Sequence, residues 1–303
     1  MPMKPSEWFS DEVGVRLAGA VSRMLPRPLG YAAADFIADC IRFNRNARIV
    51  RAVRANQWVA RGENLAGREL DRAVGETFRH MARAVFDLNR GIRNPRETRA
   101  SIVLDGAARE LFERPEFDER GLVVASLHLG EFDLILHLMS MQGMKPLVLT
   151  IPDPRGGRRA EFESRRRAGA NLLPASYGAF RTAVRHLRRG GLVATGIDRP
   201  IPGPKIRPRF FGRPASLPLH PIRLALQAGV PVIVAATIRR PDGIHEIFCS
   251  GRMEMEPHPD RDTEILRNAE TVLRAAEDCI RRAPSQWAAT LAVWPEAVDE
   301  APG

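Results

Sequence analysis

Apolar residues recur every three to four positions along the first ninety residues, and then the rhythm changes. Val13, Leu17, Ala20, Val21, Met24 and Leu25 predict an amphipathic helix over 7–25, ended by Pro26 and Pro28. Leu29, Ala32, Ala33, Phe36, Ile37, Cys40 and Ile41 mark one face of a second helix, with Asp35, Asp39 and Arg42 elsewhere. A basic helix is expected over 45–60. A longer one follows to about Leu88, on Leu70, Val74, Phe78, Met81 and Val85. Gly91 to Thr98 reads as a linker, so 1–95 forms an N-terminal helical region and 96–303 a second part.

From Ser101 onward short β-branched runs alternate with helical patterns. Strands are expected at 102–104, 121–126, 146–151, 192–197, 230–236 and 244–250. Helices are expected at 107–112, 158–168, 179–188, 218–228 and 263–282, with another opening after Gly130. Such alternation predicts an α/β fold, a mostly parallel sheet flanked by helices.

The stretch GLVVASLHLGEFDLILHL, Gly121 to Leu138, organises this second part. Its apolar run reads as a buried strand, and from Glu131 the spacing turns helical. His128 then lies at the carboxyl end of a strand, where open α/β sheets place their chemistry. Asp133 lies five residues on, in the first helical turn. A carboxylate there could orient one imidazole nitrogen and leave the other to take a proton from a hydroxyl. A helix-capping or loop-bonding histidine is the structural alternative.

The block LHLGEFDL resembles the H-x-x-x-x-D/E signature of the lysophospholipid acyltransferase superfamily. It is closest to the branch of bacterial lipid A late acyltransferases and phosphatidylinositol mannoside acyltransferases. FESRRRAGANLLP, YGAFRTAVRHLRRGGLVATGIDRP and RFFGRPASLPLHPIRLALQAGVPVIVA follow in the family's order. The resemblance implies a glycerol-3-phosphate acyltransferase-like fold and direct transfer of an acyl group to a lipid hydroxyl. His128 and Asp133 would be catalytic, and Gly130, Glu131, Arg165, Asp198, Arg199 and Arg209 substrate-binding. Some relatives carry an acidic residue just after the F-F-G glycine, where this chain has Arg213. The resemblance further implies acyl-CoA or acyl-ACP as co-substrate, with no resident cofactor or metal. The acceptor would be a lipid A-type glycolipid, or alternatively a phosphatidylinositol mannoside, a lysophospholipid or an amino-lipid.

Composition narrows the partners. A net charge of +10 suits anionic membrane, phosphorylated lipid, coenzyme A or acyl carrier protein. Nucleic acid is disfavoured, because the two tyrosines and four tryptophans are not interleaved with the basic runs. A polyanion-binding protein without catalysis is the rival from another class. Cys40, Cys249 and Cys279 are odd in number and far apart, which argues for reducing surroundings and against zinc. His137, His220, His245 and His258 read as structural or surface residues. The longest uncharged stretch, Leu224 to Ile238, falls short of the roughly 18 apolar residues a membrane span needs. Trp8, Phe9 and the early helices therefore predict peripheral docking, and the family resemblance implies the cytoplasmic face of the bacterial inner membrane.

Overall fold

The computed structural model describes residues 25–91, 99–113, 120–150, 162, 165–166 and 170–302. The helix expected over 7–25, Trp8 and Phe9, most of the linker and most of the 158–168 helix lie outside them. Three helices come first: α1 (Arg27–Phe43), α2 (Arg48–Ala60) and α3 (Gly67–Gly91). The α/β part follows as β1 (Ile102–Leu104), α4 (Gly106–Glu113), β2 (Leu122–Ser126), α5 (Asp133–Met141), β3 (Leu147–Thr150), β4 (Asn171–Pro174), α6 (Tyr177–Leu187) and β5 (Leu192–Gly196). A small hairpin of β6 (Arg209–Phe210) and β7 (Arg213–Pro214) leads to α7 (His220–Ala228), β8 (Val232–Arg239), β9 (His245–Cys249), α8 (Arg261–Arg282) and α9 (Ala297–Glu300).

Seven strands form one sheet in the order β1-β9-β8-β2-β5-β3-β4. All neighbours run parallel except β8 and β9, as expected of a mostly parallel sheet. Strand β2 occupies the centre, and its residues alternate between two cores. Val123 and Ala125 join the helices α2, α3, α6, α7 and α8 on one face. Leu122 and Val124 meet Leu111, Phe112, Ile135 and Met139 from α4 and α5 on the other. Burial on both faces is why this strand is an unbroken apolar run.

The helical region and the sheet share a hydrophobic core, since Val50, Val53, Leu70 and Phe78 cluster with Val123, Val193, Val234 and Trp287. Sequence pattern missed β4, an edge strand with only Leu172 and Leu173 apolar, and the two-residue hairpin β6–β7. Both are too short for a period to register. The three cysteines are free.

Helix α1 packs in an unusual sense. It turns its small residues Gly30, Ala34 and Ala38 inward, and a Cβ on Gly30 would lie 2.1 Å from the Phe86 ring of α3. Its large residues Leu29, Phe36, Ile37 and Phe43 stay exposed. No helix among the described residues is long and apolar enough to cross a membrane.

Candidate active site

Strand register builds the centre of the site. Ser126 of β2 pairs with Gly196 of β5 on one side and with Ala235 of β8 on the other. Two residues past each of the first pair stand His128 and Asp198, side by side at parallel carboxyl ends. His128 Nδ1 lies 2.6 Å from Asp198 Oδ1, and the His128 main-chain N–H donates to Asp198 Oδ2 at 2.9 Å. Nδ1 carries the proton in that contact, because a carboxylate only accepts. Nε2 is then the lone-pair nitrogen available to a substrate hydroxyl. The imidazole keeps 15% of its surface open while the carboxyl keeps 1%.

The loop that carries His128 is clamped from both sides. Thr237 Oγ1 donates to the Leu129 carbonyl, Gly130 N–H to the Gln286 carbonyl, and Ala288 N–H to the His128 carbonyl. Gly130 has φ +54°, and a Cβ there would sit 2.5 Å from the Thr237 carbonyl oxygen, so glycine is required. The segment 286–288 is itself held by α2. Gln57 Nε2 donates to the Pro284 carbonyl, and Asn56 Nδ2 donates to the carbonyls of Ala289 and Leu291. Phe132 stands edge-on to the imidazole with centroids 4.7 Å apart. A Cβ on Gly196 would come 3.2 Å from the ring.

Trp287 completes the carboxylate. Its indole Nε1 donates to Asp198 Oδ2 at 2.9 Å, and the tryptophan is fully buried. Burial pulls the Asp198 carboxyl upward. The charge on His128 and the hydrogen bonds from His128 and Trp287 outweigh it, and Asp198 stays below the usual carboxylate range.

Asp133 does not hold the His128 ring, contrary to the five-residue spacing. It receives Arg165 in a fork, Nε at 2.6 Å and Nη2 at 3.2 Å. The physical reason is competition: Asp133 opens α5 and is taken by Arg165, while Asp198 arrives from the neighbouring strand end at hydrogen-bond range of the ring. Arg165 also lies over the rings of Phe132 and Phe162, each 5.6 Å away, which keeps it beside the site.

The other expected residues divide. Gly130 shapes the loop, and Arg199 follows Asp198 as an exposed side chain. Glu131 turns inward: it is buried, with Oε2 3.1 Å from His245 Nδ1, instead of presenting a carboxylate to the crevice. Arg209 is exposed on the β6–β7 hairpin and donates to the Gly212 carbonyl. Arg213 bonds Glu63 and Glu300, tying the hairpin to the helical region and to α9. His245 is buried, and His220 lies 2.6 Å from Thr195 Oγ1, so both have structural partners. His258 is partly buried beside Asp260. The side chain of His137 lies outside the description.

Asp87, Glu131 and His245 offer one ligand atom each within 4.8 Å of one another. Protein groups already answer their charge. The Tyr31 hydroxyl reaches both Asp87 oxygens at 2.7–2.8 Å, and Arg239 Nε lies 3.8 Å from the same carboxylate. Burial raises the Asp87 carboxyl, with Tyr31 opposing and Glu131 adding to the rise. Burial also raises the Tyr31 hydroxyl well above its ordinary value. This set reads as a sealed polar network.

Sequence pattern did not single out Trp287, and it assigned Asp198 to substrate without anticipating its contact with His128. Both positions were legible only as partners. Asp198 follows its strand by the same two residues as His128 follows β2, a match that matters only once β2 and β5 are neighbours. No curated protein matches the chain. Residues 5–294 match the family model described as bacterial lipid A biosynthesis acyltransferase. The matched span takes in both the helical region and the sheet, and the chain belongs to this family of acyltransferases, which use an acyl donor and a lipid acceptor.

Proposed function

We propose that the chain is a direct O-acyltransferase in which His128 is the general base and Asp198 its positioning residue. His128 Nε2 takes the proton of a glycolipid hydroxyl as its oxygen attacks the thioester carbonyl of acyl-CoA or acyl-ACP. The tetrahedral oxyanion forms near the N-terminus of α5, whose dipole favours negative charge. Its collapse expels the thiolate, which takes the proton from the imidazolium and leaves ester and free thiol. The thioester is a co-substrate and the reaction needs no resident cofactor. Arg165, paired with Asp133 beside Phe132, is placed to meet a phosphate of donor or acceptor.

The observation that carries this reading is the 2.6 Å His128–Asp198 contact at adjoining strand ends. The test is His128→Ala in purified protein, assayed as free-thiol release from acyl-CoA with a lipid A-type acceptor. A positioned base contributes about 10²–10⁴-fold. Wild-type turnover by the folded variant would remove the mechanism.

The acceptor stays in its bilayer, because each CH₂ brought into water costs about 0.8 kcal/mol. We place the enzyme peripherally on the cytoplasmic face of the bacterial inner membrane. The outward Leu29, Phe36, Ile37 and Phe43 of α1 support this, as does the basic balance of the chain. Phe36→Ser with Phe43→Ser should shift the protein off anionic vesicles, read by sedimentation.

A further inference from the structure

We infer that Trp287 is a positioning residue for the acyl-transfer reaction, acting through its indole N–H on Asp198. The inference rests on the reading of His128 as the base. The Asp198 carboxylate is enclosed, and its two oxygens do different work. Oδ1 takes the imidazole Nδ1, while Oδ2 accepts both the His128 main-chain N–H and the Trp287 indole at 2.9 Å. Rotating the carboxylate would break those two bonds together, and the plane that aims Oδ1 at the ring is therefore set by Oδ2.

Trp287 is well suited to this because it cannot move. It is fully buried, lies edge-on to Phe210 at 5.9 Å and to Trp294 at 6.3 Å, and sits in the segment clamped against the His128 loop. Leu129 pairs with Trp287 across an antiparallel bridge, and Ala288 N–H holds the His128 carbonyl. One short segment thus fixes the histidine from its backbone and its carboxylate from the side chain.

A second tryptophan supplies the control. Trp294 is equally buried in the same aromatic cluster, stacked on Phe210 at 5.6 Å. Its indole nitrogen is buried and finds no hydrogen-bond partner among the described residues. Trp→Phe removes the same mass and the same N–H at both positions, but only at 287 does it remove a bond to the site.

The titratable group in contact with Asp198 is His128. Withdrawing the indole leaves more charge on the carboxylate, which then holds the imidazolium more tightly. The neutral base consequently forms at higher pH in Trp287→Phe.

The experiment compares Trp287→Phe with Trp294→Phe, using acyl-CoA and a lipid A-type acceptor. Trp287→Phe should lower kcat about tenfold with KM nearly unchanged, since a carboxylate free to turn no longer aims the imidazole at the hydroxyl, and this outweighs its firmer hold on the imidazolium. The acid limb of its kcat/KM profile should move to higher pH. Trp294→Phe should keep wild-type values for both. The His128 ring titration, followed by ¹⁵N NMR without substrate, should move up in the first variant only. That measurement reads the coupling even if His128→Ala proves active and the base assignment falls. Should Trp287→Phe fail to fold, benzothienylalanine at 287 keeps the ring shape without the N–H. Equal kcat and equal His128 titration in the 287 and 294 variants would overturn the inference.

Discussion

Two histidine–carboxylate pairs meet at the His128 loop, and they differ in how open they are. His128 meets Asp198 at 2.6 Å with its ring still partly open, whereas His245 meets Glu131 at 3.1 Å with both side chains sealed. Glu131 is only three residues from His128, and the two point to different sides of the same loop. Under the proposed mechanism a carboxylate beside an imidazole is not enough to make a base. The second ring nitrogen must also reach a crevice, and that depends on which strand end or which core surrounds it.

The largest effect expected from this contrast is on turnover. Asp198→Asn keeps the size of the side chain but offers one acceptor where three donors converge. The amide must leave a donor unmet or present its own N–H to another donor. We expect kcat to fall about 10²–10³-fold with the fold retained. Asp133→Asn should cost less in turnover, because its partner is Arg165 and not the imidazole. Rapid acid quench with both variants ranks them, and equal losses would erase the distinction between the two aspartates.

The sealed pair should answer in stability instead. His245→Ala leaves the Glu131 and Asp87 carboxylates buried with one neighbour fewer, and breaking such a pair costs about 3–5 kcal/mol. Chemical denaturation should report most of that loss. Turnover by the fraction still folded should stay within about threefold. A folded, stable His245→Ala protein with no activity would move Glu131 back to the substrate.

Much of this was readable in the chain, and the failures have a pattern. The strand Leu122–Ser126 and a helix expected from Glu131, which begins at Asp133, follow from local apolar rhythm, as does His128 between them. Spacing points to Asp133 as the partner, because sequence distance is the only distance a sequence carries. Asp198 lies seventy positions away and becomes a neighbour through the β2–β5 register alone. Trp287 is more remote still, in a segment without helical or strand period, and it enters through a single bridge to Leu129. In α1 the apolar positions were legible but not the way they face, since the close approach of Gly30 to Phe86 selects the small side as the inner one.

A third histidine sharpens the comparison, because among the described residues no carboxylate pairs with it. His220 opens α7 and sits 2.6 Å from the hydroxyl of Thr195, and burial pushes its ring from 6.5 down to about 4. The sign follows from which state holds the proton. Between about pH 6.5 and 4 the unfolded chain binds a proton at this position while the folded chain does not. Acid therefore draws the equilibrium toward the unfolded state, and stability falls as pH drops through that window. Each unit of displacement corresponds to roughly 1.4 kcal/mol, so His220 alone should remove about 3 kcal/mol between neutral pH and pH 4. His220→Gln keeps an amide for Thr195 and cannot titrate, so its urea midpoint should vary less steeply with pH than that of the wild type. A residual slope will persist, because burial also lowers His80, with Glu131 opposing. Parallel curves for wild type and variant would mean that the His220 ring is charged in the folded protein, with Thr195 as its acceptor.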